Sequence, residues 1–250
     1  MLFRGNTRPL WFRALNAIPV ILVCGIIGFE ITVYLSESRD QVGLTVVFSI
    51  SAFLVIWTYL KTVWTCPGVV VLDSQQAQHN SSYCNDCQRV KPPHYHHCKV
   101  CSTCIKKMDH HCPWVGNCVG ERNRKYFYQF LIWTLVATGQ ILADGGLTSL
   151  FKSFRVGGYV AVSRIAALSV FLAVLVLASM QTYLLLIGMT SVELVKSLDN
   201  TVDSSVRPKS CCENWCDVMG NRVIDWIFPT TPPDTSRSSD YRPVGVEMTV

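Results

Sequence analysis

The sequence predicts an all-α membrane protein: four transmembrane helices, with a small zinc-stabilised, cysteine-rich domain in the cytosolic loop between helices 2 and 3. Three observations predict it. Half of the 250 residues are hydrophobic and only 16% are charged, against about 25% charged in ordinary soluble domains. The apolar residues gather in four runs of roughly 17–23 residues, the length a helix needs to cross hydrocarbon. Seven of the twelve cysteines lie between Cys84 and Cys118, and five of the six histidines between His94 and His111. Metal sites recruit that mixture and disulfide frameworks do not. Together these exclude a disordered chain and a water-soluble single domain.

The first apolar run, 17–35, follows Arg4, Arg8 and Arg13. It exceeds the roughly 7–15 residues of a signal-peptide core and no small-residue cleavage site follows, so it reads as a retained span. Runs 43–60, 127–143 and 165–187 supply the other three; the third carries Thr138 and Gln140 and ends at Gly145-Gly146. Trp11, Phe12, Trp57, Tyr59, Trp64, Tyr126 and Tyr128 stand where interfacial aromatic anchors belong. Glu30, inside the first run, is a polar exception. Three Lys/Arg in the N-terminal arm, nine in 61–126 and six in the tail stand against Arg39, Lys152, Arg155 and Arg164 in the opposite loops. Positive residues collect in the cytosol, which places both termini and the 61–126 segment there. A multi-pass organisation follows: arm and helices 1–2 over 1–63, cysteine-rich domain over 64–126, helices 3–4 over 127–187, cytosolic tail over 188–250. Beyond about residue 229 the Pro/Thr/Ser composition reads as disordered. Cys211, Cys212 and Cys216 in the tail are candidates for acylation or for a further metal site.

The loop reads Cys84-Asn-Asp-Cys87, His94, His96, His97-Cys98-Lys-Val-Cys101-Ser-Thr-Cys104, Asp109-His110-His111-Cys112, Cys118. The reducing cytosol disfavours disulfides, and each C-x2-C pair lets two thiolates reach one tetrahedral ion. Seven cysteines and five histidines make twelve candidate ligands, while two structural zinc ions need eight. Four are left over, and a reactive thiol is expected among them. Few large aliphatic residues lie between Cys84 and Cys118, so metal must supply much of the folding free energy. A RING-type ubiquitin-ligase module would close on a second C-x2-C pair, and here the end is Cys112-x5-Cys118. A nucleic-acid-binding finger would carry C-x2-C followed by H-x3-5-H on a helix, which is missing, so no nucleic-acid partner is expected.

Between Cys84 and Phe127 the chain resembles the cysteine-rich domain of the DHHC protein S-acyltransferases (palmitoyltransferases). Met108-Asp-His-His-Cys-Pro-Trp-Val-Gly-Asn-Cys-Val-Gly120, followed by Asn123 and Phe127, carries the resemblance. The four spans, with this domain between the second and third, extend it. The resemblance implies two interleaved zinc sites, Cys84, Cys87, His97 and Cys104 for one and Cys98, Cys101, His111 and Cys118 for the other. It also implies a two-step reaction: Cys112 takes a fatty acyl group, palmitoyl for example, from acyl-CoA and passes it to a cytosolic cysteine of a membrane-associated substrate protein. In that reading His110 is the general base and Asp109 fixes its tautomer. A thiol is only a few per cent ionised at neutral pH, so the nucleophile needs such activation.

Three positions depart from the family pattern. His94 stands in Lys91-Pro92-Pro93-His94 where the family usually has Arg; with Lys91 it is expected to hold the CoA phosphates. Cys66-Pro67-Gly68 replaces Asp-Pro-Gly after the second span. Thr190-Ser191-Val192-Glu193 replaces Thr-Thr-x-Glu, and Ser191 keeps the hydroxyl that meets the catalytic Asp in the family. Asn214-Trp215 and Gly220 resemble the family's C-terminal membrane-contacting motif. Asn80-Ser81-Ser82 is an N-glycosylation sequon that a cytosolic loop leaves unmodified. The alternative function is a catalytically silent zinc-binding membrane scaffold.

Overall fold

The computed structural model describes residues 10–37, 41–69, 82–144, 158–198 and 209–231. Four long helices dominate it: α1 (Leu10–Glu37), α2 (Val42–Trp64), α3 (Arg124–Ala143) and α4 (Gly158–Leu186). Three of them, over Asn16–Glu37, Val42–Trp64 and Gly158–Leu186, are long and apolar enough to cross a membrane. The remaining long helix, α3, opens on Arg124-Lys125 and carries Gln129, Thr134, Thr138 and Gln140, which lowers its apolarity. Each helix outruns its apolar run at one or both ends, because backbone hydrogen bonding continues into polar flanks once a helix is nucleated. Ile21, Val46, Phe53, Ile165 and Val176 point outward and are exposed, as hydrocarbon as solvent allows.

Inside, one apolar cluster joins Tyr34, Phe48, Val55, Ile141 and Ala167. A second joins Tyr59, Cys112, Val115, Val119, Phe127, Leu131 and Ala178, and so brings the Cys112 thiol of the loop against the helices. One sequence expectation changes here. Arg164 lies within α4, buried, and its guanidinium donates to the carbonyls of Ile141 and Asp144. It satisfies open carbonyls at the C-terminus of α3. Glu30, the polar exception of the first run, is buried and accepts the Ser163 hydroxyl at 2.6 Å, tying α1 to α4. The side chains of Trp11 and Phe12, residues 145–157 with Lys152 and Arg155, Arg39, Asn80 and the tail past 231 lie outside the described residues.

The cysteine-rich segment departs from an all-helical description. It folds as three antiparallel hairpins: β1 (Ser82–Cys84) with β2 (Arg89–Lys91), β3 (Tyr95–Cys98) with β4 (Thr103–Lys106), and β5 (His110–Cys112) with β6 (Asn117–Val119). Gln88, His94, Ser102 and Lys107 take positive φ at the turns, a conformation that sharp chain reversals need and that costs little beside metal ligation. Its own apolar core is only Cys98, Ile105, Met108 and Cys118 with their neighbours.

Two asparagines fasten the hairpins to the membrane helices. Asn117 Nδ2 lies 3.3, 3.2 and 3.0 Å from the carbonyls of Thr62, Val63 and Thr65 at the end of α2. Asn123 donates to Thr62 and Cys118 carbonyls at 3.3 and 2.8 Å and accepts from the Gly120 amide at 2.8 Å. A Cβ on Gly120 would sit 2.6 Å from the Pro67 carbonyl oxygen and 2.7 Å from Ile105 Cγ2, so only glycine fits. After α4 come α5 (Ser191–Leu198), α6 (Cys211–Met219) and α7 (Val223–Ile227). Asn214 on α6 donates to the Leu186 carbonyl, and Gln129 on α3 to those of Asp225, Trp226 and Phe228.

Candidate functional site

Strand geometry sorts the loop's cysteines and histidines. Successive strand side chains point to opposite faces, so on β3 His97 and Cys98 face away from each other, each towards a different group. His97 pairs across with Cys104, and on the third hairpin His111 pairs with Cys118. Cys84, Cys87, His97 and Cys104 converge in one group, and Cys98, Cys101, His111 and Cys118 in another, each with donor atoms within 4.8 Å of one another. In the first, His97 Nδ1 lies 3.5, 3.2 and 4.0 Å from the sulfurs of Cys84, Cys87 and Cys104. In the second, His111 Nδ1 lies 3.8, 3.4 and 3.5 Å from those of Cys98, Cys101 and Cys118.

A tetrahedral zinc ion, with Zn–S of about 2.3 Å and Zn–N of about 2.0–2.1 Å, has edges of roughly 3.6–3.8 Å. The observed spacings fit. The sulfurs of Cys101 and Cys118 are 3.5 Å apart, far beyond the roughly 2.05 Å of a disulfide. The two Cys3His groups could therefore each hold a metal ion, and Cys211, Cys212 and Cys216 on α6 join neither.

The same alternation on β5 turns His110 and Cys112 to one face and His111 to the other. His110 Nδ1 donates to Asp109 Oδ2 at 2.7 Å, which leaves the other ring nitrogen available on the strand face that the ring shares with the Cys112 thiol. Asp109, 1% exposed, accepts on its second oxygen from the Ser191 amide at 2.7 Å and the Ser191 hydroxyl at 3.0 Å. Burial alone would raise the Asp109 pKa; the His110 hydrogen bond, the nearby Arg124 charge and the Ser191 amide overcome it and hold the carboxyl well below its usual range. Burial likewise opposes charge on His110, but Asp109 and the Cys112 thiol raise it to about 9. The arrangement is an imidazole that keeps a proton firmly beside a thiol able to supply it, with an ionised carboxylate holding the ring in place.

Lys91 and His94 are less simply placed. His94 projects from a turn at φ 63° and meets Glu193 Oε1 at 2.9 Å, so the imidazole already has an anionic partner. Glu193 is held well below its usual range, burial being outweighed by His94 and the Thr190 amide. Beside it Lys196 meets His96 at 3.0 Å, and burial with the Lys196 charge lowers His96 to about 4. Lys91, on β2, contributes to the same local field.

Three participants had no sequence motif. Gln181 on α4 donates to Asp109 Oδ2 at 2.8 Å. Tyr59 on α2 donates to the Trp114 carbonyl at 2.9 Å, in the turn directly after Cys112. Arg124 donates to the Met189 carbonyl at 2.8 Å and so steadies the loop that presents Ser191. Gln181 had one available signal, an amide isolated in an otherwise apolar run.

Residues 77–198 match the family model of the DHHC palmitoyltransferases. The chain is 30% identical to "Probable protein S-acyltransferase 13" of Arabidopsis thaliana over 90% of its own length and 88% of that protein's. It is 31% identical to "Palmitoyltransferase ZDHHC9" of Homo sapiens over 63% of this chain and 49% of that one. With "Palmitoyltransferase ZDHHC3" of Homo sapiens the identity is 39%, over 49% and 42% respectively. The chain thus spans about half the length of these two mammalian relatives.

Proposed function

The chain belongs to the DHHC palmitoyltransferase family and is a protein S-acyltransferase, and from that premise we propose that it works through an acyl-enzyme thioester on Cys112. The observation that carries the proposal is the Asp109–His110 pair on the strand face that also carries Cys112, whose thiol is buried against the helix cluster of Tyr59, Phe127, Leu131 and Ala178. In the first step Cys112 gives its proton to His110 and its thiolate attacks the acyl-CoA carbonyl carbon. The carbon–sulfur bond to CoA breaks, and the departing CoA thiolate takes the proton back from His110. In the second step a substrate cysteine gives its proton to His110 and attacks the Cys112 thioester, and Cys112 leaves as the thiolate. Exchange between thioesters is nearly isoenergetic, so rate comes from positioning and thiolate supply. Asp109 stays ionised and orients the imidazole, as its donors favour.

The two Cys3His groups hold zinc in this reading, and the ions supply folding free energy rather than chemistry. The acyl chain, palmitoyl for example, lies among the helices while CoA stays in water, its phosphates near Lys91 and His94. The fourth span is α3: the Thr134 and Thr138 hydroxyls bond to their own helix carbonyls and the Gln129 amide nitrogen to tail carbonyls, so these donors do not face hydrocarbon unpaired. The hairpin module and both termini are cytosolic, by the distribution of Lys and Arg. Substrates are membrane-associated proteins with cytosolic cysteines.

The test is incubation of purified protein with labelled acyl-CoA. A hydroxylamine-sensitive adduct, lost in Cys112→Ser with both zinc ions retained, is expected. An adduct that persists in Cys112→Ser, or none in the wild type, overturns the assignment and favours a scaffold.

A further inference from the structure

Gln181 sits in the last third of α4, one turn beyond Ala178, which packs in the cluster that contains Cys112. It is 2% exposed. The neighbouring polar groups of this helix are satisfied within it: Ser179 bonds to the Leu175 carbonyl and Thr182 to that of Ala178. Gln181 cannot do this, since its longer side chain projects away from its own backbone. An amide buried on an apolar helix is costly unless it finds a partner. Its Nε2 finds Asp109 Oδ2 at 2.8 Å.

That oxygen is also the one His110 meets, at 2.7 Å. Asp109 therefore receives two donors on each oxygen: Ser191 twice on Oδ1, Gln181 and His110 on Oδ2. Ser191 alone fixes one end of the carboxylate and leaves the plane free to rock about that end. Gln181 removes the freedom, and with it the freedom of the imidazole that follows Oδ2. The donor must also be neutral and must lack an anionic form, because a second carboxylate there would face Asp109 across a hydrogen-bond distance.

We infer that Gln181 is a positioning residue for acyl transfer: it acts through Asp109 to hold His110 in line with the Cys112 thiol. The inference rests on the Cys112 assignment, which is tested separately by the hydroxylamine-sensitive adduct of the wild type and its loss in Cys112→Ser.

Full-length protein in detergent is compared as wild type, Gln181→Met, Gln181→Glu, Asp109→Asn and the double variant Asp109→Asn/Gln181→Met. Single-turnover acyl-enzyme formation is followed across acyl-CoA concentrations, with zinc content and thermal midpoint recorded alongside. Methionine keeps the volume and removes the donor; the maximal rate should fall by about tenfold, the span of one charge-assisted hydrogen bond. Glutamate keeps the shape and adds repulsion; about a hundredfold loss or more is expected. In both, two zinc ions should remain and the half-saturating acyl-CoA concentration should move less than about twofold.

In the Asp109→Asn background Gln181→Met should add little further loss, because its only route to the chemistry is gone. A purely packing role predicts the opposite order, with isosteric Glu tolerated, and a loss that persists without Asp109. Any of three results overturns the inference: a wild-type rate for Gln181→Met, a full additional loss in the double variant, or loss of zinc and folding in both single variants. The last would make Gln181 a structural residue. Failure of the wild type to form any adduct is a different result, which removes the Cys112 reading and this inference with it.

Discussion

Adjacent alanine substitutions at His110 and His111 should have unlike consequences, because β5 turns the two rings to opposite faces. His111→Ala removes one of four donors from the second metal group, where Nδ1 stands 3.4–3.8 Å from three sulfurs. Apparent binding free energies of roughly 10–16 kcal/mol for a four-ligand zinc site put one ligand at on the order of 3 kcal/mol, or about a hundredfold in affinity. Marginal stabilities of about 5–15 kcal/mol make such a loss large. His110→Ala removes one of four donors to Asp109, and the Ser191 amide, Ser191 hydroxyl and Gln181 amide remain. The carboxylate is not stranded, so stability should change by no more than about 1–2 kcal/mol. The rate should fall by roughly 10²–10⁴, the worth of a positioned base. Metal content after dialysis against a moderate chelator, thermal midpoint and single-turnover acylation distinguish the two. Two zinc ions retained by His111→Ala, or zinc lost from His110→Ala, would refute the separation of roles by strand face.

Four further outcomes are expected. His94→Arg should lower the acyl-CoA concentration for half-maximal self-acylation, since arginine is always charged and can fork onto phosphate; no change would place the phosphates elsewhere, with Lys91 first. Asn123→Ala should destabilise the protein by roughly 3–5 kcal/mol, because the Thr62 and Cys118 carbonyls and the Gly120 amide lose a fully buried partner; an unchanged thermal midpoint would contradict this. The depressed Asp109 carboxyl contributes stability that is present above the unfolded pKa of about 4 and is lost as pH falls towards the folded value. The advantage of wild type over Asp109→Asn in thermal midpoint should accordingly hold from about pH 6 to 4 and shrink as pH is lowered below about 4, and a gap that stays constant there would argue against it. Asn80 should carry no glycan in cells, and a glycosidase-sensitive mass shift that disappears in Asn80→Gln would reverse the topology.

The helices were legible because run length and hydropathy are local properties that bilayer thickness makes sharp. The metal groups were countable from composition, yet their partition was not, since spacing alone lets twelve donors combine in many ways. What divides them is alternation along three short hairpins, and strands of three or four residues leave no periodic apolar signal when half their positions are ligands. The third class of residue is invisible for a different reason. Gln181, Tyr59 and Arg124 meet the site across 72, 55 and 65 positions of chain, and each sits in a helix whose composition reads only as membrane. Glu30 shows the same limit: its place in an apolar run was plain, its partner Ser163 was not.

The module cannot be cut from the helices where the composition changes. A boundary at residue 64 separates Asn117 and Asn123 from the α2 carbonyls they satisfy, and one at 126 severs α3 just past Asn123, Arg124 and Lys125. Lys125, fully buried, reaches Thr230 in the tail at 2.8 Å, and Gln129 holds the carbonyls at the end of α7. The first turns of α3 therefore touch the hairpins, the loop that presents Ser191 and the C-terminal segment together. A metal ion held by the second group would fix Cys118, whose carbonyl is held by Asn123, the residue directly before α3. Metal occupancy should thus stabilise more than the hairpins: stripping zinc is expected to loosen the α2–α3 junction, and with it the wall of apolar side chains against which Cys112 is packed.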